Sequence, residues 1–241
     1  MKQEYTAIIL AAGKGSRMRT DCPKQFLELA GKPVICYSLE AFEKSPVDHI
    51  ILVSGEDSLE YCRTEIVDKY GFRKIKNIVA GGQERYDSVW AGLQYVKSDY
   101  VLIHDGARPF VTQEIIQRTM SEAAKTGSCV VGMPVKDTIK VTDQENYAVR
   151  TPDRKCLWQV QTPQAFATEK IRAAYAAVLG ARHAADVITD DAMILEHATG
   201  EKVKLIQGSY RNIKITTKED LLIASAFIEN SCQKSVDINR K

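Results

Sequence analysis

Thr6-Ala7-Ile8-Ile9-Leu10-Ala11-Ala12-Gly13 decides how this chain is read. The run over 6–11 is short and apolar and stops at a glycine, so it reads as a buried strand feeding a tight loop. Outward from it, residues 33–44 carry Ile35, Leu39 and Phe42 at helical spacing, behind a proline suited to a first turn. A strand is expected over 49–54, a helix over 58–70 and a strand over 75–80. Over 84–96, Val89, Leu93 and Val96 share one helical face. A strand at 100–103, a helix at 112–125 and a strand at 128–133 follow. Strands alternating with helices predict an α/β fold: a Rossmann-like, mainly parallel sheet with helices on both faces.

Residues 140–150 break the rhythm. They are polar, with β-branched residues and a turn-like Asp143 to Asn146, and predict a hairpin on a projecting β-arm at about 137–156. Helices are expected near 168–179 and 190–197, and strands at 203–207 and 213–215. Thr216 and Glu219 fit a capping box, after which a helix buries Leu221, Ala224 and Ile228. The chain beyond Glu229 is polar and is expected to fray. The whole reads as one domain over 1–232, with 233–241 as a tail.

Formal net charge is +2, from 33 basic and 31 acidic residues, so bulk charge makes no case for nucleic acid or membrane as a partner. No segment approaches the roughly 20 apolar residues of a membrane helix. The first apolar run ends in a glycine loop, unlike a signal peptide. The six cysteines make no C-x-x-C pair and no zinc-like spacing, so buried, reduced thiols in the cytoplasm are expected.

Three stretches carry candidate chemistry. Leu10-Ala11-Ala12-Gly13-Lys14-Gly15-Ser16-Arg17-Met18 follows the first strand, where open α/β sheets bind ligands. Its small residues let backbone N–H groups approach a phosphate. It is not a dinucleotide fingerprint, because Met18 stands where glycine is needed, and it lacks the Gly-Lys-Ser/Thr of a Walker loop. Lys24, in Cys22-Pro23-Lys24-Gln25-Phe26, lies seven residues beyond Arg17, a spacing that lets both cations fold over one anion. In Ala80-Gly81-Gly82-Gln83-Glu84-Arg85-Tyr86-Asp87-Ser88, two glycines are expected to let a base or ribose lie against the backbone, with Ser88 facing the loop. In His104-Asp105-Gly106-Ala107-Arg108-Pro109, Asp105 ends a strand and is either a Mg²⁺ carboxylate or an Asx-turn or helix-capping aspartate. Arg108 serves phosphate or structure, and His104 reads as a packed neighbour rather than a catalyst.

A glycine loop with Arg followed by Pro-Lys resembles the sugar-nucleotide pyrophosphorylases, in which the two cations clamp a triphosphate. More closely, the blocks 10–18, 23–26, 81–89, 104–110, 136–140, 151–154, 157–166, 188–191 and 212–220, in this order, resemble the 2-C-methyl-D-erythritol 4-phosphate cytidylyltransferases. That resemblance implies transfer of CMP from CTP to a sugar-alcohol phosphate, with release of pyrophosphate. It implies that Ala11, Ala12, Gly13, Gly82 and Gln83 hold cytosine and ribose, with Ser88 near the base. Arg17, Lys24 and Lys214 would meet the triphosphate and Asp105 would bind Mg²⁺. Ala107, Arg108, Thr162 and Thr189 match further substrate positions. Thr138 and Arg154 would bind the acceptor's phosphate from an arm that reaches the partner subunit's site, which implies a homodimer. Read from the residues alone, Thr138 and Arg154 are an ordinary hairpin flank, and Lys214 simply alternates with Ile213 and Ile215.

Ribitol-5-phosphate cytidylyltransferases share most of these blocks. Ala11-Ala12-Gly13, Ala107 before Arg108, and Leu157-Trp158 favour the erythritol family. Gly106 departs from that family, where alanine is commoner, and is expected to widen the ribose side of the site. A non-catalytic nucleotide-binding module would lack one of Arg17, Lys24, Asp105 or Lys214, and all four are present. An NAD-dependent oxidoreductase is disfavoured by the failed fingerprint.

Overall fold

The computed structural model describes residues 2–13, 22–180 and 188–238, with side chains as far as residue 230 in the last helix. Strand β1 (Tyr5–Ala11) is followed by a small ribbon, β2 (Glu28–Leu29) and β3 (Lys32–Pro33), and by α1 (Val34–Glu43). Then come β4 (His49–Ser54), α2 (Leu59–Tyr61), β5 (Ile75–Ala80), α3 (Arg85–Leu93), β6 (Tyr100–Asp105), α4 (Gln113–Thr126) and β7 (Ser128–Pro134). The arm carries β8 (Val141–Thr142) and β9 (Ala148–Arg150). The chain closes with β10 (Trp158–Ala167), α5 (Thr168–Gly180), α6 (Asp191–Thr199), β11 (Lys204–Gln207) and α7 (Lys218–Ile238).

Among the described residues, seven strands form one sheet in the order β11-β7-β10-β6-β1-β4-β5. Neighbours pair in parallel except at β10, which runs antiparallel to both β6 and β7. The alternation of β1 explains why the sheet is covered twice. Ala7, Ile9 and Ala11 face a core with Ile35, Leu39 and Phe42 of α1 and Ile116 of α4. Ile8 faces the opposite core, with Val89 and Leu93 of α3 and Tyr175 of α5. Each Val, Leu, Ile or Phe side chain among them, fully removed from water, contributes about 1.5–3 kcal/mol.

Local signals set the helix ends. Thr112 caps α4 by accepting a hydrogen bond from the Ile115 N–H, and Gly127 ends that helix at φ 80°. Asp190 caps α6 through the Met193 N–H. Glu84 and Asp87 form a reciprocal capping box at the start of α3.

Several expectations are corrected. The helix over 58–70 contains a π-helical segment, Cys62–Asp68, directly after α2. Residues 213–215 are not a strand: the Ile215 N–H donates to the Ala107 carbonyl, and no ladder forms. The capping box of α7 lies one residue later than expected. Thr217 and Asp220 exchange side-chain-to-backbone hydrogen bonds, because the shorter Asp220 carboxylate also accepts from the Thr216 hydroxyl. Helix α7 continues to Ile238, past the point where a polar tail was expected. Cys36, Cys62 and Cys129 are buried as expected, but Cys22 and Cys156 are exposed.

Candidate active site

Register brings the three sequence stretches to one edge. Ala11 lies beside Ser54, Ser54 beside Ala80, and Leu10 beside Asp105. The loops leaving β1, β5 and β6 therefore emerge together at the carboxyl ends of parallel strands. The chain proceeds from β1 to β4 on one side and returns with β6 on the other, which opens a crevice at β1.

A cavity of about 270 Å³ occupies that crevice. Ala12, Gly13, Gly82, Gln83, Ser88 and Ala107 line it, and Lys24, Lys214 and Asp105 are the expected charged residues on its wall. Ala11 lies just behind, and its carbonyl accepts a hydrogen bond from the buried Gln25 amide. An adjoining cavity of about 260 Å³ is lined by Arg108, Thr162 and Thr189, and shares Arg85, Asp105 and Lys214 with the first. A third, of about 320 Å³, again includes Arg108 and Lys214. Lys214 thus stands where the three meet. Thr138 and Arg154 are exposed on the arm and line none of these cavities within their own chain; the Arg154 guanidinium donates to the Lys136 carbonyl. Arg17 lies outside the described residues.

The glycines of the second loop are tightly packed. A Cβ on Gly81 would sit 2.5 Å from the Ala12 Cβ and 2.6 Å from the Ser88 Oγ, and one on Gly82 would sit 2.3 Å from the Asp87 Cβ. Gly81 allows the second loop to press against the first, and Gly82 allows it to fold tightly onto the start of α3 while lining the cavity. Ser88 belongs to the same joint. It is buried, its hydroxyl donates to the Glu84 carbonyl, and it accepts from the Gly82 N–H. Gly106 does not widen the ribose side. A Cβ there would meet the Leu10 carbonyl at 2.8 Å and the buried Ile35 side chain, so its absence serves packing between β1 and α1.

Asp105 is the electrostatic centre. Its Oδ2 is 2.8 Å from the Lys214 Nζ and 3.6 Å from the Arg108 Nε, and its Oδ1 is 3.2 Å from the Arg85 Nε. Burial alone would push its carboxyl up, but Arg85, Lys214 and Arg108 outweigh that and hold it well below the usual carboxylate range. Asp105 is therefore a fixed anion inside a cationic wall.

The Asp105 backbone is fixed as well. The Arg108 carbonyl can only accept, so the contact at 3.3 Å places a proton on His104 Nε2. Nδ1 is then an acceptor and takes the Thr162 hydroxyl proton at 2.9 Å. The same Thr162 oxygen accepts from the Asp105 N–H at 3.1 Å. Burial pushes the His104 imidazole down to about 4, which keeps it neutral. His104 is a packed neighbour, as expected, and its ring also lies against Phe42. Thr162 lines the adjoining cavity, but its proton is committed to the imidazole.

Sequence reasoning passed over Arg85 and Asp191. Arg85 opens α3 inside a stretch already singled out, yet its partner stands 106 positions away, where no local periodicity can pair them. For a divalent cation the donor set is sparse. Among the described residues no group of three or more His, Cys, Asp or Glu gathers. Asp105 alone fits an ion that arrives with phosphate oxygens and water in its shell, as Mg²⁺ does. It does not fit a resident ion held by protein alone.

The sequence family described as 2-C-methyl-D-erythritol 4-phosphate cytidylyltransferase matches residues 5–230. A protein of that name from Lachnospira eligens is 51% identical over 226 residues, covering 93% of this chain and 99% of the relative. One from Clostridium acetobutylicum is 46% identical over 230 residues, covering 94% and 99%. Among solved structures, the 4-diphosphocytidyl-2C-methyl-D-erythritol synthase of Anaerococcus prevotii superposes with a TM-score of 0.82 at 35% identity, covering 94% of this chain and 96% of its own. The 2-C-methyl-D-erythritol 4-phosphate cytidylyltransferase of Thermus thermophilus gives 0.72 at 30%, covering 94% and 98%.

Proposed function

The chain belongs to the 2-C-methyl-D-erythritol 4-phosphate cytidylyltransferase family, the nucleotidyltransferases of isoprenoid biosynthesis, and from that premise we propose how its own residues perform the transfer. The observation that carries the assignment is that Lys24, Lys214 and Asp105 line one cavity with both glycine-bearing loops. CTP occupies that cavity, with base and ribose against Ala11, Ala12, Gly13, Gly82 and Gln83. Ser88 supports them by holding the second loop in place.

The acceptor's phosphate oxygen attacks the α-phosphorus of CTP in line. A new P–O bond forms as the bond to the bridging oxygen breaks, and pyrophosphate leaves with that electron pair. The acceptor is already an anion at neutral pH, so no side chain need remove a proton. The barrier lies in bringing two anions together and in charge growing on the α-phosphoryl oxygens. Lys24, Lys214 and Arg17 answer it as positively charged donors to the phosphates. Asp105, on the cavity wall beside Lys24 and Lys214, would hold Mg²⁺, whose chemistry there would be to neutralise phosphate charge. Arg108, Thr162 and Thr189 line the acceptor side.

Thr138 and Arg154 act in the partner subunit's site in a homodimer. The arm that bears them exposes Ile139, Val141, Tyr147 and Val149, with Tyr147 69% and Val149 62% accessible, an apolar surface suited to a second copy. No helix among the described residues is long and apolar enough to cross a membrane. We assign the reaction to the cytoplasm, with neither nucleic acid nor membrane as partner.

The test is to incubate the protein with CTP and Mg²⁺ plus either 2-C-methyl-D-erythritol 4-phosphate or ribitol 5-phosphate, and to measure pyrophosphate. Release with the first acceptor alone is expected. Release only with ribitol 5-phosphate would transfer the assignment to that substrate, and release with neither would remove the catalytic reading.

A further inference from the structure

Arg85 makes an unequal pair of attachments. Its two terminal nitrogens donate to Asp191 at 2.9 and 2.8 Å, one to each carboxylate oxygen, while its Nε reaches Asp105 at 3.2 Å. Asp191 is fully buried and lines none of the cavities described above. Its Oδ1 also accepts the Tyr175 hydroxyl at 2.6 Å, and its backbone N–H is held by the Gln164 side chain at 3.0 Å. A bidentate, charge-assisted contact of this kind sets direction as well as distance. Lys214 differs. It meets Asp105 through a single ammonium on a flexible stem, with its side chain one-third exposed at 33%.

The two oxygens of Asp105 are therefore not equivalent. We propose that Asp191 is a positioning residue: it anchors Arg85, Arg85 pins Oδ1 of Asp105, and Oδ2 is left as the oxygen that exchanges Lys214 for a divalent cation arriving with the nucleotide. Lys214, once displaced, is released toward phosphate. The geometry supports the exchange because the guanidinium cannot follow an incoming phosphate without breaking both bonds to Asp191. The ammonium has no such tie to Asp191. This rests on the cleft being the CTP site.

The test uses full-length protein and calorimetric titration of CTP with and without Mg²⁺. The quantity read is the factor by which Mg²⁺ tightens CTP binding. In Asp191→Asn that factor is expected to fall at least about tenfold, the range for losing a group that orients a metal ligand, while metal-free CTP affinity changes less than about twofold. Asp191→Asn leaves Arg85 without its counter-charge and so risks unfolding. The double variant Arg85→Met/Asp191→Asn removes both charges and is expected to lose the Mg²⁺ factor to the same extent, whatever change removing the cavity-lining Arg85 makes to metal-free binding. A folded variant of either kind that keeps the parent's Mg²⁺ factor overturns the proposal. So does one that weakens CTP equally with and without metal, since that is a structural effect alone. A parent protein that binds no CTP would instead sink the reading of the cleft.

Discussion

Acidification tests the packing beneath Asp105, because His104 is buried neutral. The unfolded chain takes up a proton near pH 6.5, the ordinary value, whereas the folded protein resists it until about pH 4. Between those limits the unfolded state binds more protons, so stability is complete above about pH 6.5 and is lost as pH falls. The difference corresponds to about 2 kcal/mol by pH 5 and about 3 kcal/mol by pH 4. Carboxylates held low, Asp105 among them, lose their share near and below their ordinary value of 3.8, which is a lower window. The perturbation that isolates the imidazole is His104→Gln. Its amide can donate toward the Arg108 carbonyl and accept from Thr162, and it does not titrate. Urea unfolding of both proteins from pH 7.5 to 4 gives the comparison. The parent is expected to lose about 3 kcal/mol more than the variant across that range. Parallel loss in the two proteins would refute the proton order deduced for Arg108, His104, Thr162 and Asp105.

Other perturbations separate loop packing from chemistry. Gly81→Ala forces a Cβ into Ala12 and Ser88 and is expected to cost about 1–3 kcal/mol, whereas Gly55→Ala, which meets no described atom within 4 Å, should stay within about 0.5 kcal/mol. Thermal melts and CTP titration read both, and an unperturbed Gly81→Ala would contradict the joint between the loops. Lys24→Ala should lose about 10²–10³ in kcat with its melting temperature kept; near-normal turnover in the folded variant would remove its role. A heterodimer with Arg17→Ala in one chain and Arg154→Ala in the other should regain one intact site, and no recovery would place the arm's action within its own subunit.

Much of the fold was legible because β1, β4 and β6 are buried on both faces and read as near-continuous apolar runs between amphipathic helices. Strand β10 was not. Gln159, Gln161 and Gln164 give it no apolar run, and Pro163 cannot donate to a ladder. It is accommodated where the pairing with β7 shifts register between Val160 and Gln164. Residues 213–215 failed in the opposite sense. Ile213 and Ile215 alternate with Lys214 as a strand would, but the segment is short, and its backbone N–H groups donate from Ile213 to the local Arg211 carbonyl and from Ile215 to Ala107. At the site, composition and loop position found Lys24, Asp105 and Ser88. The direction in which a missing Cβ would point was invisible, and so the packing of Gly81 against Ala12 and Ser88, of Gly82 against Asp87 and of Gly106 against Leu10 and Ile35 went unread. Arg85 and Asp191 escaped because their pairing exists only once α3 and α6 are folded against the sheet.

The measurement that bears most directly on the account is a crystal structure with Mg²⁺ and a non-hydrolysable CTP analogue. Lys24 and Lys214 are expected on phosphate oxygens, Oδ2 of Asp105 on the metal, and the ribose against the loops at Gly13 and Gly82. A triphosphate bound away from that cavity, or a metal with Asp105 still paired to Lys214, would contradict it.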